Sequence, residues 1–103
     1  MTYDKRTAYI GFLRGSLYFA DGSILHLREY INAEDVVERY MYVYQYLMPD
    51  GALVFRYDNS PHFSHLPTFP HHKHKGSESD VIAANPPDLA TVLREIDSIM
   101  ELK

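Results

Sequence analysis

The chain has 103 residues, 46% of them hydrophobic, no cysteine, and a formal net charge of −4. That length fits one domain, residues 1–103, and leaves no room for a second core. Without cysteine there are no disulfides and no thiolate metal sites. The acidic balance argues against a general nucleic-acid coat, which needs surplus Lys and Arg. No apolar run approaches the roughly 20 residues of a membrane helix, and Met1 to Thr7 lacks the apolar core of a signal peptide. The chain therefore reads as a cytoplasmic protein.

The first half is punctuated by Asp21-Gly22 and Asp50-Gly51, each between strand-like runs and each a strong hairpin signal. Strand one is expected from about Ala8 to Ala20, bent at Gly11 or Gly15, and strand two from Ser23 to Ile31. A polar link, Asn32 to Val37, follows, with Asn32 suited to cap one helical turn. Strand three runs from Glu38 to Leu47 and strand four from Ala52 to Asp58. Period-two alternation puts Tyr40, Tyr42, Tyr44 and Tyr46 on one face, joined by Leu53, Phe55 and Tyr57. It puts Met41, Val43, Gln45 and Leu47 on the other, joined by Val54, Arg56 and Asp58. Nine Tyr in this chain read as half-buried sheet surface.

Asn59 to Pro70 breaks the pattern, because Pro61, Pro67 and Pro70 oppose regular structure. This is a long loop rich in His and Phe, a kind that often carries function. His71 to Lys75 is expected to re-enter the sheet, Gly76 to Asp80 to be a polar, mobile turn, and Val81 to Ala84 to be a short edge strand. Pro86 and Pro87 lead into a helix from about Pro87 to Leu102, with Asn85 as its cap. Leu89, Val92, Leu93, Ile96, Ile99 and Met100 form one apolar stripe along it. The fold class is α+β: an antiparallel β-meander of four to six strands with a C-terminal helix packed on one face. The second face is left for loops or for a second subunit in a homodimer.

Chemistry concentrates between Arg56 and Lys75, where five of the six histidines fall. Imidazole moves protons near neutral pH, and Arg and Lys hold phosphate and stabilise developing charge. The candidate catalytic residues are Arg56, Asp58, His62, His71, His72 and His74. Tyr44, Tyr57 and Lys73 are candidates for binding substrate. Simple surface pairing of Arg56 with Asp58, and packing of histidines on Phe63 and Phe69, account for the same residues without function. His72 and His74 share one side of an extended strand, as a two-His chelate requires, with His62, His65 or Asp58 as a third ligand. Lys73 and Lys75 add positive charge that opposes a cation. The preferred site therefore holds no metal and needs no cofactor. His26 reads as an ordinary strand residue. Ser16, Ser23 and Ser60 have no nucleophile-elbow context.

These segments carry a resemblance. The aromatic strand Tyr40-x-Tyr42-x-Tyr44, then Phe55-Arg56-Tyr57-Asp58-Asn59-x-Pro61-His62, then Phe69-Pro70-His71-His72-Lys73-His74, resemble the TumE family of toxins from prokaryotic toxin–antitoxin pairs. The terminal helix, with Leu89, Val92 and Leu93, also matches, and the likeness runs from about Leu17 onward. It implies a toxin paired with a DNA-binding antitoxin encoded nearby, and it supplies no mechanism. Three readings of the site follow. The first is a metal-independent ribonuclease, with His71 and His74 as base and acid, Arg56 and Lys73 on phosphate, Asp58 orienting a partner, and Tyr57 or Tyr44 stacking a base. The second is a binding module without catalysis, and the third a metal-dependent enzyme built on His72 and His74.

Overall fold

Both Asp-Gly pairs make tight reversals, and the meander is built on them. The computed structural model describes residues 2–5, 10–32 and 38–101, with side chains over 14–30 and 41–101. Gly22 and Gly51 each sit at φ +89°, a left-handed conformation that glycine adopts without the usual penalty. Gly22 N–H donates to Phe19 O, and Phe19 N–H to Ser23 O, both at 3.0 Å. The second turn repeats this pattern from Gly51 to Met48 and from Met48 to Ala52, both at 2.9 Å. Each is a three-residue loop ending on a left-handed residue, which suits the twist of the strands. The aspartates brace the turns: Asp21 accepts from Ser23 N–H and Asp50 from Ala52 N–H, both at 2.9 Å.

The strands are β1 (Thr2–Lys5), β2 (Ile10–Tyr18), β3 (Ile24–Asn32), β4 (Glu38–Leu47), β5 (Leu53–Asp58), β6 (His72–Lys75) and β7 (Val81–Ala83), followed by helix α1 (Leu89–Glu101). They form one antiparallel sheet in chain order. The α+β meander with its terminal helix is as the sequence predicts. Six of the strands are the expected ones, and β1 extends the sheet beside β2. β2 pairs with β3 continuously from Ile10 to Tyr18, with no shift of register at Gly11 or Gly15. Ala8, the link at 33–37 with its expected helical turn, and Leu102 lie outside the described residues.

Register sorts the faces. Tyr44 lies opposite Tyr57 and Tyr46 opposite Phe55, while Gln45 lies opposite Arg56 and Val43 opposite Asp58. Helix α1 covers the tyrosine face. Val92 and Ile96 are buried in one cluster with Leu25, Leu27, Tyr42, Tyr44, Tyr46 and Phe55, and Leu89, Leu93, Ile99 and Met100 pack around it. Fully burying an aliphatic side chain such as Val92 or Ile96 stabilises by roughly 1.5–3 kcal/mol. The expected cap, Asn85, is replaced by Asp88, which immediately precedes the first helical residue. Its Oδ1 accepts Thr91 N–H at 2.8 Å, and that bond holds the Asp88 carboxyl below its usual range.

The tyrosines differ from expectation. Tyr42, Tyr44 and Tyr46 are buried outright, not half-buried. Burial is tolerated because each hydroxyl finds a partner. Tyr46 donates to Ser23 Oγ at 2.8 Å, Tyr44 donates to Glu29, and Tyr42 Oη meets His71 Nδ1 at 2.9 Å. The opposite face of the sheet carries no helix among the described residues. No helix among them is long and apolar enough to cross a membrane.

Gly22→Ala adds left-handed strain of about 1–2 kcal/mol and a Cβ only 3.3 Å from the Pro49 ring. Gly51→Ala meets nothing within 4 Å and carries the strain alone. We expect thermal melts to show the Gly22 variant below the Gly51 variant, with each lost kcal/mol lowering Tm by about 4–8 °C in a domain of this size. Equal melting temperatures would show that the Pro49 ring gives way to the added Cβ at no cost.

Candidate functional site

β5 carries Arg56 and Asp58 on the helix-free face, and β6 lays His74 opposite Arg56 and His72 opposite Asp58. Pairing two short strands thus assembles a block of four polar side chains. Three of them are almost out of solvent: Asp58 is 6% exposed, His72 1% and His74 3%. Phe63, from the loop after β5, lies against the histidines, with ring centroids 4.7 Å from His72 and 5.8 Å from His74.

Asp58 is the hub. Its Oδ1 accepts Ser60 N–H at 3.0 Å and Ser60 Oγ–H at 2.7 Å, and its Oδ2 accepts Arg56 Nε–H at 3.0 Å. Burial opposes its ionisation, but the Ser60 bonds, the charge of His72 and the Arg56 bond outweigh burial and hold the carboxyl below its usual range.

A backbone carbonyl faces Nδ1 of each histidine. His72 Nδ1 is 2.9 Å from Pro70 O, and His74 Nδ1 is 2.9 Å from Glu78 O. A carbonyl only accepts, so each Nδ1 carries a proton. Both Nε2 atoms then turn toward Asp58: His72 Nε2 is 2.8 Å from Oδ1 and His74 Nε2 is 3.7 Å from Oδ2. His72 Nε2 is buried, and its close approach to Asp58 lacks hydrogen-bond geometry. One donor atom from each of Asp58, His72 and His74 lies within 4.8 Å of the others. Two imidazoles steered by carbonyls, plus a carboxylate, is a donor set that fits a divalent cation. Arg56 works against it, since Nη2 is 3.1 Å from His74 Nε2 and brings a fixed positive charge to the same corner.

Arg56 also faces outward. Its Nη1 and Nη2 donate to the two oxygens of Glu78 at 2.5 and 2.6 Å, and Nη1 reaches Gln45 Oε1 at 3.4 Å. The Glu78 side chain is 62% exposed. A groove of about 680 Å³ starts at Arg56, Asp58 and Ser60 and runs across Gln45 toward His26 and Arg28.

The remaining candidates lie elsewhere. His71 stacks on Tyr42, with ring centroids 5.8 Å apart, on the tyrosine face. Tyr44 is completely buried there. Tyr57 Oη–H donates to Glu95 of α1 at 2.5 Å, and burial together with Glu95 pushes its pKa well up. Lys73 Nζ donates to the same carboxylate at 2.6 Å and sits 4.9 Å from the Tyr57 ring centre. His62 is exposed on the loop, edge-on to Phe63. The sheet thus brings together Arg56, Asp58, His72 and His74, separates them from His71, Tyr44, Tyr57 and Lys73, and leaves His62 outside. His71 and His74 do not meet as a base–acid pair, because residues an odd number of positions apart along extended chain point to opposite faces.

Phe63 completes the site as a surface on which histidines pack, as the sequence suggested, and Glu78, Ser60 and Gln45 join it without having been singled out there. Gln45 was readable from the register of the second hairpin. Ser60 was readable from Asp58-x-Ser60, an Asx-turn pattern. Glu78 arrives through a turn whose path no periodicity predicts.

Comparison with curated proteins and with solved structures gave no match. The family model described as toxin TumE matches residues 1–100, and the chain belongs to that family.

Proposed function

We propose that this chain is the toxin of a type II toxin–antitoxin pair, and that it cleaves RNA without metal where the groove meets Arg56 and Asp58, beside their strand partners His74 and His72. The Arg56 fork carries this reading. Its two Nη groups hold both oxygens of Glu78, the same bidentate geometry in which a guanidinium holds two phosphate oxygens. A phosphodiester takes the place of that carboxylate, and Arg56 turns from His74 toward it.

His74 then has a free Nε2, with its proton fixed on Nδ1 by Glu78 O. It accepts the 2′-hydroxyl proton. The 2′-oxygen bonds to phosphorus, the bond from phosphorus to the 5′-oxygen breaks, and water protonates the leaving oxygen. Arg56 stabilises the charge that gathers on the phosphoryl oxygens. Asp58 orients Arg56 and favours the imidazolium formed on His74, while His72 positions Asp58. The family suggests a cognate antitoxin as partner, and the reaction requires no cofactor.

The unbonded Nε2 of His72 supports a second reading, in which Asp58, His72 and His74 hold a divalent ion. Elemental analysis of untagged protein separates the two. We expect no stoichiometric transition metal and no effect of a chelator on cleavage. Near-stoichiometric zinc that is lost in His72→Ala and His74→Ala would end the metal-free mechanism.

For the metal-free reaction we expect products ending in a 2′,3′-cyclic phosphate. His74→Ala should slow cleavage by about 10²–10⁴-fold, the usual contribution of a general base. Arg56→Lys, which keeps charge but loses the fork, should also impair cleavage. His71→Ala should leave the rate intact, since His71 lies across the sheet. Unchanged toxicity in the His74 and Arg56 variants, with folding verified by circular dichroism, would remove RNA cleavage from this site. Glu78→Gln should lower KM for RNA with little change in kcat, because it removes the anion that competes for Arg56. An unchanged KM would mean that Glu78 does not compete with substrate.

A further inference from the structure

The groove continues beyond the catalytic block, onto residues that the chemistry above does not use. Across β2, β3, β4, β5 and β6, one row on the helix-free face reads Ser16, His26, Gln45, Arg56, His74. The next row reads Arg14, Arg28, Val43, Asp58, His72. Arg14 and Arg28 lie directly opposite each other on neighbouring strands, and both are exposed. Like charges placed this way repel and weaken the pairing. Among the described residues neither arginine has an ion pair, although Arg56 has two acidic partners. Both line the same groove as Arg56 and Asp58.

We infer that Arg14 and Arg28 form a second phosphate subsite, so that the groove holds a single-stranded RNA backbone between this pair and Arg56. The inference rests on the ribonuclease reading for the identity of the polymer. Strand spacing sets the scale. Two strand separations and a two-residue offset put Arg28 roughly 12 Å from Arg56 at the Cα atoms, so the ligand must present anions repeatedly along its length. The face offers side chains and no free backbone groups, so a peptide cannot dock here by strand addition, which needs an open sheet edge. Open sheet faces with basic and ring-bearing side chains suit single strands. His26, in the same row as Arg56 and two residues from Arg28, supplies a ring, half-buried, with Nδ1 2.7 Å from Ser16 Oγ. In a chain of net charge −4, two adjacent exposed arginines are a local excess of positive charge.

The test is the salt dependence of binding to a 2′-O-methyl oligouridine of twelve nucleotides, which cannot be cleaved through a 2′-hydroxyl. Each phosphate contact to a single strand contributes about 0.7 to the slope of log K against log salt. The double variant Arg14→Ala/Arg28→Ala should lower that slope by about 1.4 and lose more affinity at low salt than at high salt. Arg14→Lys/Arg28→Lys should keep most of the slope, and Arg94→Ala on α1 should keep all of it. An alanine double variant that melts like the parent yet binds with the parent's slope and affinity overturns the subsite. Binding of polyglutamate through these arginines, with no binding of the oligouridine, also overturns it and identifies an acidic protein segment as the occupant. If the oligouridine binds with the expected loss of slope but unmodified RNA is never cut, the subsite stands and the ribonuclease reading fails.

Discussion

One carboxylate holds the candidate site together. Asp58 is nearly buried, and an unpaired buried charge would be forced toward its neutral form. It stays ionised because Ser60 donates twice and Arg56 once. Those partners have different jobs in the fold. The Ser60 bonds turn the chain out of β5 and start the loop that brings Phe63 over His72. The Arg56 bond fixes the stem of a guanidinium whose outer nitrogens then face the groove. Remove the charge, and both the loop's departure angle and the direction of the Arg56 fork lose their anchor.

The next constraint is register. Asp58 and Arg56 share the open face only because the turn at Asp50-Gly51 pairs Val43 with Asp58 and Gln45 with Arg56. A slip by one residue would send every side chain to the other face. Tyr57 would then enter the groove, and Arg56 would enter the core beneath α1. The apolar demand of the helix stripe, Val92 and Ile96 against Tyr44, Tyr46 and Phe55, opposes that slip. The packing of one face therefore specifies the chemistry of the other.

Much of this was legible in the sequence, for reasons that differ by element. β4 was bounded at Glu38 and Leu47 because alternation there is uninterrupted, and α1 because its stripe repeats at helical spacing. Alternation also set Tyr44 and Tyr57 against Arg56 and Asp58, and it set His72 and His74 against His71. The segment from Arg56 to Lys75 nevertheless carries candidates on both faces, because closeness along the chain does not place side chains on one side. Arg14 and Arg28 were also within reach: they lie equally far from the Asp21-Gly22 turn and so must face each other. The burial of the tyrosines was not legible. It depends on Glu29, Ser23 and His71 arriving from other elements to satisfy three hydroxyls.

The relation of Glu78 to Arg56 links the electrostatics of the site to its proposed use. A mostly exposed carboxylate held in a fork gives up little hydration, and exposed pairs of this kind stabilise by only about 0–1 kcal/mol. Such a contact keeps Arg56 outward without committing it. His74 is tied to the same turn through Glu78 O, so the one turn sets both the cation's direction and the imidazole's tautomer. A phosphate arriving at Arg56 gains a contact as favourable as the one it displaces and brings the charge of a polymer with it. The backbone bond from His74 Nδ1 to Glu78 O does not depend on the displaced side chain. In the proposed reaction His74 therefore keeps its tautomer while the anion on Arg56 is exchanged, which an acid–base site needs and a rigid structural ion pair would not supply.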